Sequence, residues 1–447
     1  MRISTNTIFE LGSTKISDLQ AQLTRTQQQL STQRRVLTPA DDPVAAANII
    51  GITQSISINE QFATNRQNAK NLLSQQESIL QSVTSLLQDT KTLVVNAGDG
   101  ALEDSQRQFL TAELRGLFDE LLGLANSRDG AGNYMFGGSQ IDSQPFSQTP
   151  TGAAYSGDQG KRMLQIGASR HIAMNDSGSS IFENIKVGNG RFVTAPENRI
   201  NPATFAPIVP ASANAGSGIV SSGAVVDATK LTGDSYNLVF SVVPSAVPAN
   251  AYTPNTISYA IQNSAGDFWN SATSTWVGGP PPVPVAGAAP AAPWTPYVSG
   301  QAIIFEGLQF DVKGTPADGD AFSIKPSSNQ SIFETMTNLL ATLSAGSVGA
   351  TGQANLTNGL NAANNNIDNA LSNVLQVRAS VGTRLKEIEV LDSTGDDLHI
   401  QYTEAINQLQ EIDLAETISN FTQQQMALEA AQKSFMQVSR LSLFNYL

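Results

Sequence analysis

The side chains able to do chemistry are few and scattered. Asp41-Asp42 sets two carboxylates side by side, an arrangement that could share a proton or hold a cation. Its setting, Thr38-Pro39-Ala40-Asp41-Asp42-Pro43, favours another use. Asp42 is expected to cap a helix that Pro43 opens, since a side-chain oxygen there accepts from the first N–H groups and the missing proline N–H costs nothing. Asp318-Gly319-Asp320 resembles part of a calcium loop. It lacks the twelve-residue spacing and closing bidentate Glu of an EF-hand, so it reads as a turn. Gly130-Ala131-Gly132 has neither the third glycine nor the preceding strand of a dinucleotide fingerprint. His171 and His399 are the only histidines, and there is no cysteine. Thiol nucleophiles, disulfides and His or Cys metal clusters are therefore not expected. Neither GxxxxGK[ST] nor HExxH occurs. No catalytic, cofactor-binding or metal-ligating residue is assigned, and the chain is not expected to be an enzyme.

The composition points toward protein partners. The chain has 447 residues, 40% hydrophobic but only 14% charged, with a net charge of −13. The acidic balance disfavours nucleic acid, which needs a basic patch. No apolar run reaches the length of about 18 residues expected of a membrane span. The start, Met1-Arg2-Ile3-Ser4-Thr5-Asn6-Thr7, lacks an apolar signal core. The expectation is a chain that is cytoplasmic or exported without a cleaved signal.

The elements that must position any site are long helices. Ile16, Leu19, Leu23, Thr26, Leu30, Gln33 and Leu37 follow a 3, 4 spacing, which is a heptad seam. This first helix should stop before Thr38-Pro39. A second helix is expected from Pro43 to Ala97, with Leu72, Gln76, Ile79, Val83, Leu86, Thr90 and Leu93 in its later half. A third, from near Leu102, carries Leu110, Leu114, Leu117, Leu121 and Leu124 and ends at Gly130 to Gly132. From Asn133 to Ser327 the chain turns rich in Gly, Pro, Ala and Ser. Short β-type runs appear there, among them Tyr134-Met135-Phe136, Tyr236 to Val243 and Ala302 to Phe305. Residues 279–296 are too rich in Pro and Ala for a central strand and read as an extended surface excursion. Helix returns with Ser331 to Leu343. A long helix follows with Leu360, Asn364, Ile367, Leu371, Val374, Arg378, Val381, Leu385, Ile388 and Asp392, expected to break at Thr394-Gly395. A last helix should run from Asp397 to about Leu443, with Leu414, Ile418, Phe421, Leu428, Phe435, Val438 and Leu441 as its seam.

This pattern predicts an α+β multidomain fold: a long antiparallel helical bundle or coiled coil built from both termini, with an inserted mainly-β outer region. The expected divisions are 1–42 with 396–447 as a terminal coiled-coil assembly core, 43–132 with 330–395 as a helical bundle domain, and 133–329 as the β-rich outer part. Leu110, Leu114, Leu117, Leu121 and Leu124, with Ile367, Leu371, Val374, Val381, Leu385 and Ile388, are assigned to the core within one chain. The outer seams, Ile16, Leu19, Leu23, Leu30 and Leu37 with Leu414, Ile418, Phe421, Leu428, Phe435, Val438 and Leu441, are assigned to contacts between subunits, because a solitary terminal helix would leave them exposed. Charge agrees: residues 1–40 hold five basic and two acidic side chains, whereas residues 396–432 hold seven acidic and no Lys or Arg.

The end motifs carry a resemblance. Met1-Arg2-Ile3-Ser4-Thr5, Leu37-Thr38-Pro39-Ala40-Asp41-Asp42-Pro43-Val44-Ala45-Ala46, Tyr134-Met135-Phe136-Gly137-Gly138, Val377-Arg378-Ala379-Ser380-Val381-Gly382-Thr383-Arg384-Leu385 and Ser442-Leu443-Phe444-Asn445-Tyr446-Leu447 together resemble the flagellin superfamily of axial flagellar proteins. Within it they look most like the hook-associated protein 3 family, the hook–filament junction proteins. The likeness spans residues 1–160 and 310–447. It implies a structural subunit that self-associates into a ring between another hook-associated protein and flagellin. It further implies secretion through the flagellar type III apparatus and a cytoplasmic export chaperone on the C-terminal helix. Membrane insertion and nucleic acid are not implied. The alternative is a filament flagellin or flagellin-like surface protein.

Overall fold

The computed structural model describes residues 5–244, 255–282, 284–285 and 290–444; of residues 5–6, 8 and 439–444 it describes the backbone alone. The helices are α1 (Thr5–Thr32), α2 (Pro43–Ala97), α3 (Asp104–Ala125), α4 (Ile332–Ser344), α5 (Gly349–Gln410) and α6 (Leu414–Phe444). No helix among the described residues is long and apolar enough to cross a membrane.

Three helix ends differ from the sequence expectation. α3 closes at Ala125, short of Gly130 to Gly132, with Asn126 as its C-cap. α1 stops at Thr32 instead of continuing to Leu37, and Gln33 follows at φ 55. The N–H groups beyond it are taken by other partners. Arg35 donates to the Gln410 carbonyl at 2.6 Å, and Leu37 and Thr38 both donate to Asp41 Oδ2 at 2.9 Å. Gly395, in turn, does not break α5, which runs on to Gln410. A lone glycine in a helix costs only about 1 kcal/mol. Here it permits close approach: a Cβ on Gly395 would lie 2.5 Å from Arg66 Nη2, and Asn59 Nδ2 donates to the Gly395 carbonyl at 2.7 Å. The break falls instead at 411–413. There Asp413 Oδ1 accepts from the N–H groups of Ala415 at 2.9 Å and Glu416 at 3.1 Å, capping α6.

The chain divides into two compact units, and α2 and α5 each contribute to both. One unit holds residues 1–68, 165–171 and 387–447. In it α1 lies antiparallel to α6, and the first part of α2 lies antiparallel to the last part of α5. The loop 165–171 is clamped to this second pair. Arg66, nearly buried, forms an ion pair with Asp392 and donates to the Ile166 carbonyl at 3.2 Å. Asn65 donates to the Gln165 carbonyl at 2.7 Å, and Arg170 pairs with Glu387.

The other unit holds residues 69–164 and 172–386. Its helical part is closed by an aromatic group. The Phe333 ring lies 5.8 Å from Phe118, 5.2 Å from Phe146 and 6.1 Å from Phe182, all four essentially buried. Asp176 binds the Arg384 guanidinium and accepts from Gln76 Nε2 at 3.0 Å.

Its β part has one large antiparallel sheet. The strands are β1 (Phe192–Glu197), β2 (Tyr236–Val243), β3 (Thr256–Asn263), β4 (Phe268–Asn270), β5 (Thr275–Val277) and β6 (Ala321–Pro326), in the spatial order β5-β4-β3-β2-β6-β1. A second, smaller sheet contains Ala302–Phe305 and Leu308–Lys313. Leu238, Phe240, Phe305, Phe310 and Phe322 are among the buried residues that join the two sheets in one core. Tyr134-Met135-Phe136, expected as a β run, is buried but forms no strand. Tyr236 to Val243 and Ala302 to Phe305 are strands as expected.

Candidate functional site

The apolar side chains that the sequence assigned to contacts between subunits lie on α1, on α6 and, for Leu37, just after α1. Ile16, Leu19, Leu23 and Leu30 are half-buried along one stripe of α1, with Thr26 fully buried among them. On α6 the facing stripe is Thr417, Phe421, Gln424, Leu428, Ala431 and Phe435, all half-buried and spaced by four and three residues. Two contacts fix the antiparallel register. The Phe9 and Phe435 rings sit 4.7 Å apart, and Thr26 Oγ1 donates to Gln424 Oε1 at 2.8 Å. Gly12 provides room for the aromatic ring, since a Cβ there would lie 2.7 Å from Phe435 Cδ2. The Thr26–Gln424 pair is polar within an otherwise apolar seam. Thr26 Oγ1 also reaches the Gln22 carbonyl of its own helix at 3.1 Å, so a shift of the helices would cost the bond to Gln424 alone, and the pair marks the register more than it adds stability.

Leu414 and Ile418 do not join that stripe; they are 47% and 51% exposed. Met436, 56% exposed, lies within about 40° of them around the helix at about 100° per residue. Val438 is exposed on the opposite flank, and the Leu441 side chain lies outside the described residues. Leu37 is half-buried in the elbow after α1.

The elbow is held by the two carboxylates that opened the sequence reading. Asp41 accepts from Leu37 and Thr38 and pairs with Arg25 at 2.5 Å. Asp42 accepts from Ala45 N–H at 3.0 Å and pairs with Arg35 at 3.2 Å. The Thr38 N–H above all holds the Asp41 carboxyl below its usual range, outweighing partial desolvation. The Ala45 N–H does the same for Asp42, with help from Arg35. Val36 and Ile412 are buried here, joining the elbow to the α5–α6 break.

The remaining assigned residues sit in helix packing. Leu114 and Leu121 are fully buried, while Leu110, Leu117 and Leu124 are half-buried at the edges of a face that includes Phe118. Ile367, Val374, Val381 and Ile388 are fully buried, and Leu371 and Leu385 half-buried. Asp320 is fully buried and accepts from the N–H groups of Ala215, Gly216 and Ala317 at 2.8 to 2.9 Å, so it ties a turn together. His171 is exposed, and His399 lies 3.9 Å from the exposed Glu60. Among the described residues no group of three or more His, Cys, Asp or Glu could hold a metal.

Residues 3–141 match the bacterial flagellin N-terminal helical region. Over 444 residues, 99% of this chain and 99% of the relative, the sequence is 26% identical to flagellar hook-associated protein 3 of Escherichia coli (strain K12). A crystal structure of flagellar hook-associated protein 3 from Legionella pneumophila matches with a TM-score of 0.68 at 29% identity, covering 81% of this chain and 98% of that one. Along nearly its whole length, then, the chain is similar to hook-associated protein 3. A crystal structure of the flagellar junction protein FlgL from Legionella pneumophila gives a TM-score of 0.66 at 28% identity over 81% of this chain and 100% of that one. The family region 3–141 takes in α1, the elbow, α2 and α3. Of the motifs that carried the resemblance, Leu37 to Ala46 builds the elbow and opens α2, while Val377 to Leu385 lies within α5.

Proposed function

We propose that this chain is a structural subunit of the bacterial flagellum, placed at the junction between hook and filament, and that it assembles through α1 and α6. One observation carries the reading. α6 closes one apolar stripe against α1 yet leaves Leu414, Ile418 and Met436 exposed along its flank. A pair of helices so uncovered is marginal in water. Further helices of the same kind, supplied by neighbouring subunits, would bury that flank.

The parts then divide the work. Residues 1–42 with 396–447 form the assembly core, 43–132 with 330–395 the supporting bundle, and 133–329 the outer part. Self-association closes into a ring, with another hook-associated protein on one side and flagellin on the other. Before export, a cytoplasmic chaperone covers the C-terminal helix, whose apolar flank would otherwise promote aggregation. The relatives are structural flagellar proteins, and we assign no catalysis to this chain.

Deleting residues 435–447 tests the reading. It removes Phe435 from its seat on Phe9 and shortens the exposed flank. The expected result is loss of filament attachment while the unit holding β1 to β6 keeps its melting transition. Normal filaments from such cells would refute the proposal. Seeded growth separates the filament alternative: a junction subunit adds a layer that ends, whereas a flagellin elongates without limit.

A further inference from the structure

A groove between β1 and α5 lies apart from the terminal helices and has its own chemistry. Its cavity of about 260 Å³ is lined by Thr194, Ala195 and Pro196 on the β1 side and by Asn355, Asn361 and Asn365 on the α5 side. No charged and no aromatic side chain lines it. An ion would find no countercharge there, and a sugar no ring to stack on.

β1 is the edge strand of the large sheet. Ser327 N–H donates to the Arg191 carbonyl at 3.0 Å, and the ladder register continues that bonding through residues 193 and 195. The backbone groups of Thr194 and Pro196 therefore turn away from β6, toward the open edge. Pro196 has no N–H to give, so this edge offers more acceptors than donors.

α5 supplies amides, and at four positions it already uses them on main chain, two of which, Asn358 and Asn366, also line the groove. Asn358 donates to the Gly218 carbonyl at 3.0 Å and accepts from Val220 N–H at 2.9 Å. Asn366 accepts from Gly188 N–H at 3.0 Å. Asn369 donates to the carbonyls of Lys186 at 2.7 Å and Gly188 at 2.8 Å. Asn373 donates to those of Ser180 at 3.0 Å and Ile181 at 2.9 Å. Asn355, Asn361 and Asn365 are of the same type on the same helix, yet they make no such bond among the described residues.

We infer that this groove takes a short, extended, uncharged stretch of main chain from a neighbouring protein, bonded by Thr194 on one side and by the amides of Asn361 and Asn365 on the other. The recognition is strand addition, with helix amides in place of a second strand. The occupant is a peptide backbone because the same side chains on the same helix bind backbone at four other positions.

The test is a binding measurement on the full-length protein with a capped, uncharged Thr/Ser pentapeptide, followed by fluorescence polarisation. A few backbone bonds in a small open site give a dissociation constant of about 1 mM. The double variant Asn361→Leu, Asn365→Leu should bind at least about tenfold more weakly while keeping its thermal melt. The same peptide N-methylated at alternate residues should lose binding to the same degree, and glucose should not compete. Equal binding by the methylated peptide or by the double variant would overturn the inference. Displacement by glucose would make the groove a sugar site and overturn it too, as would no saturable binding at about 10 mM.

Discussion

Replacing Phe435 with alanine should loosen α1 from α6 without touching the β-rich unit. The Phe435 ring packs on Phe9 at 4.7 Å and leaves no room for a Cβ on Gly12. Truncating a fully buried Phe to Ala costs about 3–5 kcal/mol. Phe435 is half-buried, so roughly half applies, about 1.5–2.5 kcal/mol. Each 1.4 kcal/mol or so is tenfold in an opening equilibrium, so amide exchange along α1 and α6 should accelerate roughly ten- to seventyfold. Hydrogen exchange read by mass spectrometry on the purified monomer measures this peptide by peptide. Peptides covering β2 and β6 should exchange as before, because distant sites contribute independently. Unchanged exchange in α1 would refute the seating of Phe435 on Phe9. Acceleration spreading into β2 would refute the independence of the two units.

Phe333→Ala should do the converse. It empties the centre of the buried Phe118–Phe146–Phe182 group, and should destabilise that unit by about 3–5 kcal/mol, read as a lower denaturation midpoint, with α1 and α6 exchange unaltered. The elbow should respond to acid in a defined sense. Asp41 and Asp42 are held below the ordinary carboxylate range, so their caps stabilise above the unfolded pKa of about 3.9 and are lost as pH falls through the lowered values. The Ala45 amide NMR signal should therefore stay constant between about pH 5 and 8 and move only below about pH 4, and Asp42→Asn should abolish that movement.

Much of the helical frame was legible because 3, 4 spacing is a direct consequence of helix geometry. Spacing alone does not say which of two neighbouring stripes faces inward. On α3 the leucines at 110, 117 and 124 keep perfect heptad spacing, yet the buried face is centred on Leu114, Phe118 and Leu121. On α6 Leu414 and Ile418 continue a stripe that faces outward, while the inward one contains Gln424. That glutamine and Thr26 look like ordinary polar residues until the fold brings them together across 398 positions. Gly395 read as a break because glycine weakens a helix. Its use as a close-approach point depends on Arg66 and Asn59, far away in sequence. The asparagines of α5 gave no signal for the same reason, since Asn373 finds its carbonyls 192 and 193 residues away. The Asp41-Asp42 cap was readable because a cap is local: donor and acceptor lie within four residues of each other.

The central claim is a place as much as a shape. Immunogold labelling of cells with an antibody to the β-rich unit tests it most directly. The account predicts a narrow band at the distal end of the hook and an unlabelled filament beyond it. Label running the length of the filament would contradict the junction assignment.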